Sequence, residues 1–576
     1  MPLNATVNPI SIELTITCEQ RLPVDDKIFL SERSTTGSLD DGQLPCPSLA
    51  HHLVESCAKY KDKIAFINFG TEISFTDLEK KSRDFAAWLQ SEGSSKGSRV
   101  ALMLPNLIQF PIALFGALRA GCTIVNCSPL YSARELESQL IDSEADTIII
   151  LENFAANLEA CISRTHIKKV ITTQVGDQLS FSKKYVFNLT VKYIKKSVPS
   201  WKIDGTIKFN HALKIGSKLK FTAPSISPDD VAFLQYTGGT TGTSKAAMLT
   251  HANSLSNMLQ MNEFFDKEIN DDNQLIVTAL PLYHIFALTV NCFWPINKGI
   301  TNLLITNARD IKALISEISK YSFTLFSGVN TLFNALLNHP DFLKINFSHL
   351  KITVGGGMAV QKSIAEKWKK VTGCNLSQGY GLTETSPVAS INPLNLKEFN
   401  GSIGLPLPST TISIRDEYNN ILPLGEIGEI CIQGPQVMKG YWNRPEETKT
   451  VFHEDGALRT GDLGHMNSAG YTTIVDRKKD MILVSGYNVY PNEVEDVVAQ
   501  HPWVHEVAAI GVPHKFAGEV VKIYVVRKDD RLDKKEIMTH CRKYLASHKI
   551  PRRVEFRNDL PKTNIGKILR RALKEN

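Results

Sequence analysis

Ten cysteines are scattered through the 576 residues, yet no two are spaced C-x-x-C. The pairing that marks zinc ribbons and disulfide frameworks is missing, so they read as small apolar core residues in a reducing cytoplasm. Charge of one sign is also scarce: 65 Lys and Arg against 59 Asp and Glu leave a net +6. That excess is too small to point to nucleic acid, but it suits anionic small molecules or a loose attraction to anionic lipid headgroups. The opening MPLNATVNPISIELTITCEQ has no basic stretch followed by a long apolar run, which argues against a secretory signal. A cytoplasmic location is expected, with peripheral association at the inner face of the cell membrane left open. Internal repeats and low-complexity tracts are absent too.

Asn273 to Asn297 lacks any formally charged residue and is about long enough to span a bilayer. Pro281, His284, Asn291 and Pro295 interrupt it, so it reads as a buried strand, loop and helix.

Residues 1–45 show no regular pattern, and SERSTTGSLDDGQLPCP reads as a polar connector. Beyond it, helical patterns (49–60, 76–92) alternate with short apolar strands (99–103, 123–125, 147–151). Such alternation predicts an α/β fold: a large layered N-terminal domain with largely parallel sheets. After residues 429–433 the pattern turns to short strands ending at 471–476. A compact α+β unit of about a hundred residues follows, with a helix over 492–500, strands over 507–512 and 520–526, and a helix over 534–546.

The stretch YTGGTTGTSKAAMLTH, 236–251, is built to hold a polyphosphate. Gly238, Gly239 and Gly242 let the backbone turn its N–H groups toward phosphate oxygens; Thr237, Thr240, Thr241, Thr243 and Ser244 add hydroxyls, and Lys245 adds a cation. It is not a P-loop, because Ser244 replaces the glycine before the lysine and Ala246 follows where a magnesium-binding Ser or Thr is required. An apolar strand at 230–235 feeds the loop, and a helix is expected from His251 onward.

Further segments follow in order: LPLYH (280–284), GGGM (355–358), QGYGLTE (378–384), DGALRTGD (455–462), DRKKD (476–480) leading to SGYN (485–488), and PKTNIGK (561–567). With the Gly/Thr loop, this set resembles the adenylate-forming enzymes over roughly residues 46–574. The run DRKKDMILVSGYNVYPNEVEDVV looks most like bacterial long-chain fatty-acid CoA ligases. The resemblance implies an AMP-binding adenylation domain (46–476) and a mobile C-terminal domain (477–576) that alternates about a hinge at Lys479. It also implies ATP and CoA as substrates, Mg²⁺ as cofactor and a fatty acid as the third reactant, and it leaves a homodimer open.

The same resemblance distributes the roles. Lys567 is the mobile lysine of adenylation, Thr383 reaches the α-phosphate, and Glu384 binds Mg²⁺. Gly355, Gly356, Gly357 and Tyr380 form the adenine pocket, and Gly381 belongs to the ATP site. Asp462 accepts from the ribose hydroxyls, with Arg477 beside ribose or phosphate. His284 lines the carboxylate end of the acyl site, Gly486 flanks the pantetheine channel, and Phe286, Phe293 and Trp294 line or gate an acyl tunnel. Ala457 and Arg459 depart from the D-G-W-L-H-T-G-D of the nearest relatives. Two rivals stay open, an enzyme that stops at the adenylate or loads a carrier protein, and a non-catalytic acyl- or nucleotide-binding protein.

Overall fold

The computed structural model describes residues 44–237, 244–265, 269, 273–563 and 566–574. The expected alternation is present. The helix Leu49–Lys59 starts where the Ser48 hydroxyl accepts the His51 N–H, and Phe75–Ser91 starts at Ser74 in the same way. Two large sheets result.

One sheet runs edge to edge through Gly440–Tyr441, Lys245–Thr250, Val231–Thr237, Thr123–Asn126, Arg99–Met103, Thr147–Leu151, Lys169–Thr173 and Ile207–Lys208. The other runs through Leu405–Pro406, Val388–Ile391, Leu376–Gly381, Ile352–Gly355, Leu325–Gly328, Leu275–Thr278, Thr301–Leu304, Ile64–Asn68 and Thr71–Ser74. Their central pairs are parallel, and antiparallel strands close the edges nearest the Gly/Thr loop and the QGYG segment. Parallel strands covered on both faces should be continuously apolar, and Thr147–Leu151 is buried throughout.

The charge-free stretch is a buried strand, Leu275–Thr278, then a loop and a helical segment from Ile285 to Lys298. Its middle, Leu288–Phe293, is a fully buried π turn. Among the described residues, no helix is long and apolar enough to cross a membrane.

A four-stranded antiparallel sheet of Thr411–Arg415, Gly428–Gln433, Leu458–Met466 and Thr472–Arg477 follows, beginning earlier than the sequence pattern suggested. Past a turn at 478–480, the chain builds a second apolar cluster that includes Val494, Val498, Val507, Ile523, Ile537 and Cys541. Here Pro491–Ala499 opens with proline at its first turn, and Val504–His514 pairs with Gly518–Arg527 over ten positions, a longer hairpin than expected. This unit is lodged against the larger part of the chain. Thr331 Oγ1 donates to the Gly566 carbonyl (3.1 Å), and Asn334 Nδ2 donates to that of His505 (3.3 Å).

Candidate active site

Where the large sheets and the C-terminal unit meet there is a cleft of about 1930 Å³. The two strands that flank the Gly/Thr loop reach it from one side. They pair antiparallel with Thr237 opposite Lys245, and both residues line the cleft. Gly238, Gly239, Thr240, Thr241, Gly242 and Thr243 lie outside the described residues. The segment after the loop is a strand before it becomes the helix His251–Phe265. Ala246 is therefore a buried position of that strand, which suits a methyl group.

Lys245 Nζ lies 3.1 Å from Glu447 Oε2 and 5.3 Å from the Tyr441 ring centre. Tyr441 in turn donates to Glu384 Oε1 at 2.7 Å. The phosphate-type lysine and the candidate metal carboxylate are thus joined through a tyrosine that the sequence reading missed. Its only signal was its place in GYWNRPEET. Thr383 and Glu384 sit on one 3₁₀ turn immediately after the strand Leu376–Gly381. Glu384 is a hard oxygen donor facing the cleft, and Mg²⁺ takes one or two carboxylates together with substrate phosphates and water. Glu384, linked to Lys245 through Tyr441, fits that requirement as such a carboxylate.

Across the cleft, Asp462 and Arg477 are cross-strand partners, so their side chains share one face of the sheet. Arg477 Nε lies 3.1 Å from Asp462 Oδ1, while the Tyr380 hydroxyl donates to Oδ2 at 2.6 Å. Burial and then the Asp462 charge hold the Tyr380 phenol well above its ordinary range. The tyrosine expected as a flat stacking surface is thus fixed by its hydroxyl. Arg459, which departs from the family pattern, pairs with Glu429 at 3.2 Å, and Ala457 is fully buried.

Lys567 comes from the C-terminal segment and is half-buried in the cleft. Burial first and Arg477 second push its pKa down to about 8, against the pull of Asp462 and Glu384. Close approach depends on Gly357, whose φ is +76° and whose position leaves a built Cβ 3.2 Å from Lys567 Cε. Gly355 and Gly356 are similarly crowded, by Val360 and by the Phe286 ring, and a Cβ at Gly381 would strike the Pro387 carbonyl. His284 caps the short helix Ile285–Ala287 by accepting the Phe286 N–H through Nδ1 at 3.3 Å. Burial and then Lys567 push its pKa down to about 3, so the imidazole is neutral at working pH.

The three aromatics expected around an acyl tunnel separate. Phe286 lines the cleft together with Met261, Phe265, Ile285 and Val290. Trp294 borders a small void that shares Phe265, Val290 and Val354 with the cleft. Phe293 touches neither; it packs on Phe115 and Phe233. Lys479 stands in the exposed turn at the cleft edge, and Gly486 (φ +84°) is exposed and off the cleft.

One cluster went wholly unread. Arg570 Nη2 lies 2.7 Å from Glu495 Oε2 and from Asn492 Oδ1, and its Nη1 lies 3.8 Å from both Asp476 and Asp480. No sequence spacing links these residues.

Two family models cover most of the chain: "AMP-binding enzyme" matches residues 53–442 and "AMP-binding enzyme C-terminal domain" residues 493–567. A long-chain-fatty-acid–CoA ligase from Escherichia coli O6:H1 is 53% identical over 92% of this chain and 94% of its own. One from Bacillus subtilis strain 168 is 39% identical over 92% and 95%. The crystal structure of ATP-bound MatB from Rhodopseudomonas palustris is 28% identical, with a TM-score of 0.79 over 91% of this chain and 98% of that one.

Proposed function

The chain belongs to the AMP-binding enzyme family, and from that premise we propose that it is a long-chain fatty acid CoA ligase. It joins fatty acid, ATP and CoA into acyl-CoA, AMP and pyrophosphate. The single observation that carries this reading is the meeting of Lys567, Glu384, Asp462 and Arg477 around one cleft that also has an apolar branch.

A carboxylate is a poor electrophile and does not accept a thiol directly. In the first step a carboxylate oxygen attacks the α-phosphorus of ATP, and the bond to pyrophosphate breaks. Such transfer depends chiefly on positioning and on neutralising charge. Lys245 and the Gly/Thr loop hold the phosphates, Glu384 would hold Mg²⁺, which neutralises phosphate charge when bound, and Thr383 faces the α-phosphate. Lys567 supplies a cation between carboxylate and α-phosphate. Neutral His284 adds no charge to compete with it, which suits a residue at the carboxylate end of the acyl branch. Asp462 accepts from the ribose, with Arg477 beside it. In the second step the C-terminal unit, residues 477–576, turns about Lys479 and withdraws Lys567. Gly486 then flanks the incoming pantetheine, the thiol sulfur attacks the acyl carbonyl, AMP leaves, and the thiol proton is lost.

The acyl branch passes Phe286, continues by Phe265 and Val290, and ends against Trp294. Work at the inner face of the cell membrane is part of the same reading, supported by the net charge of +6. The test is AMP release with free CoA across fatty acids of increasing length. Release that needs CoA and favours long acids is expected; adenylate formation without thioester would favour a carrier-loading enzyme, and a maximum at a short or aromatic acid would overturn the substrate class.

A further inference from the structure

Phe181–Leu189 forms an α-helix that continues through a π turn at Thr190–Ile194, and none of these residues is buried. Their polarity is inverted relative to an ordinary surface helix, which turns its apolar stripe inward. Phe181, Tyr185 and Leu189 recur every fourth residue on the solvent side; Phe181 is 79% exposed and Leu189 56%. Val186, Tyr193 and Ile194 extend that surface. The side turned toward the body carries polar groups instead. Lys183 Nζ donates to the carbonyls of Phe69 and Gly70, both at 2.9 Å, and Asn188 Oδ1 accepts the Gly176 N–H at 2.7 Å. Phe187 alone reaches inward to a ring, 4.7 Å from Phe69. Residues 178–203 hold six lysines and no Asp or Glu, and Lys192, Lys195 and Lys196 are exposed beside the apolar surface.

We propose that this helix is a membrane-docking surface: it lies in the headgroup layer of an anionic bilayer, with Phe181, Tyr185, Val186 and Leu189 toward the acyl chains and Lys192, Lys195 and Lys196 over lipid phosphates. Aromatic and apolar side chains beside a cluster of one charge sign match that interface on both counts. A second copy of the chain does not, because it would bring the same lysines against one another. The inference rests on the membrane part of the proposed function and gives it a place on the molecule.

The experiment is co-sedimentation of the full chain with phosphatidylcholine vesicles, with and without phosphatidylglycerol, in the absence of ATP and CoA. Binding should strengthen with phosphatidylglycerol and weaken with salt. Phe181→Ser/Leu189→Ser/Ile194→Ser should bind at least about tenfold more weakly, and each of Lys192→Ser, Lys195→Ser and Lys196→Ser should cost about fivefold on anionic vesicles. AMP release with a soluble fatty acid and no vesicles should match wild type in all of them, since none of these residues lines the cleft. Vesicle binding that survives the apolar triple variant would overturn this helix as the docking surface while leaving membrane work intact. No binding by the full chain would overturn both. An oligomer in vesicle-free solution that the triple variant dissolves would assign the face to a second copy and also refute the proposal. None of these outcomes depends on whether the ligase reading holds, which AMP release measures separately.

Discussion

Gly357→Ala should separate the two half-reactions. At φ +76° any side chain is strained, a cost of about 1–2 kcal/mol for a residue with a Cβ, and this lowers stability whatever the position of the C-terminal unit. The added methyl also meets Lys567 Cε at 3.2 Å, with Val329 Cγ1 behind it at 3.7 Å, so the lysine must yield by a few tenths of an ångström. Forcing it off a favoured rotamer costs about 0.5–1.5 kcal/mol, a loss of about twofold to about tenfold. That second cost exists only while Lys567 occupies the cleft. ATP–pyrophosphate exchange should therefore fall by that factor, while single-turnover transfer from supplied acyl-adenylate to CoA should not. Lys567→Ala should cripple exchange and spare transfer, and adding Gly357→Ala to it should produce no further loss in exchange beyond that due to stability. Equal loss in both half-reactions, or additive losses in the double variant, would refute the contact as the cause.

Three other outcomes are expected. Lys567 is cationic below its pKa of about 8 and loses its charge as pH rises through it, so kcat/KM for ATP in adenylation should fall above about pH 8. Bound phosphates favour the cation, so kcat at saturating ATP should fall at higher pH, and a profile flat to pH 10 in kcat/KM would contradict the assignment. Lys479→Pro fixes φ near −65° in the turn and removes an N–H, so it should retain exchange but lose thioester formation; a folded variant with normal acyl-CoA production would sink the hinge. Trp294→Phe should raise kcat/KM for longer acids relative to shorter ones by up to about fourfold per methylene newly accommodated, whereas Phe293→Leu should lower Tm without changing that ratio. A chain-length profile that Phe293→Leu alters and Trp294→Phe does not would reverse the two assignments.

The strand and helix alternation was readable because its apolar periods are clean, and the charge-free stretch resolved into strand, loop and helix because Pro281 breaks it between Leu275–Thr278 and Ile285, while Pro295 is accommodated inside the helical segment. The cleft residues were readable as ordered motifs, and Tyr380, Glu384, Asp462, Arg477 and Lys567 come together although up to 187 positions separate them, from Tyr380 to Lys567. Which aromatic faces the acyl branch was not readable. The π turn at Leu288–Phe293 breaks the 3.6-residue period, so spacing could not tell that Phe293 turns to the core and Trp294 to the void. Nor could spacing find Tyr441, Glu429 or Arg570, whose partners lie far off in sequence and are brought near only by strand pairing within one sheet, for Glu429, or by the packing of separate elements. The helix at 181–194 escaped notice for another reason. Its outward apolar stripe has the same period as a core-facing one, and only burial distinguishes the two.

Asp462 already holds Tyr380 on one oxygen and Arg477 on the other in the structure described above. A nucleotide entering the proposed site would exchange its own hydration and that of the free lone pairs of this carboxylate for ribose contacts, rather than supply partners to a bare charge. The net enthalpy of the ribose contact should accordingly be small by calorimetry, because hydrogen bonds are exchanged in near-equal number. The same exchange works in reverse when the adenylate is discharged: departing AMP leaves no stranded charge behind, so product departure is not retarded by a buried ion waiting for company. An enzyme that must empty its nucleotide site once per turnover is served by a pocket that keeps its own hydrogen bonds as it empties.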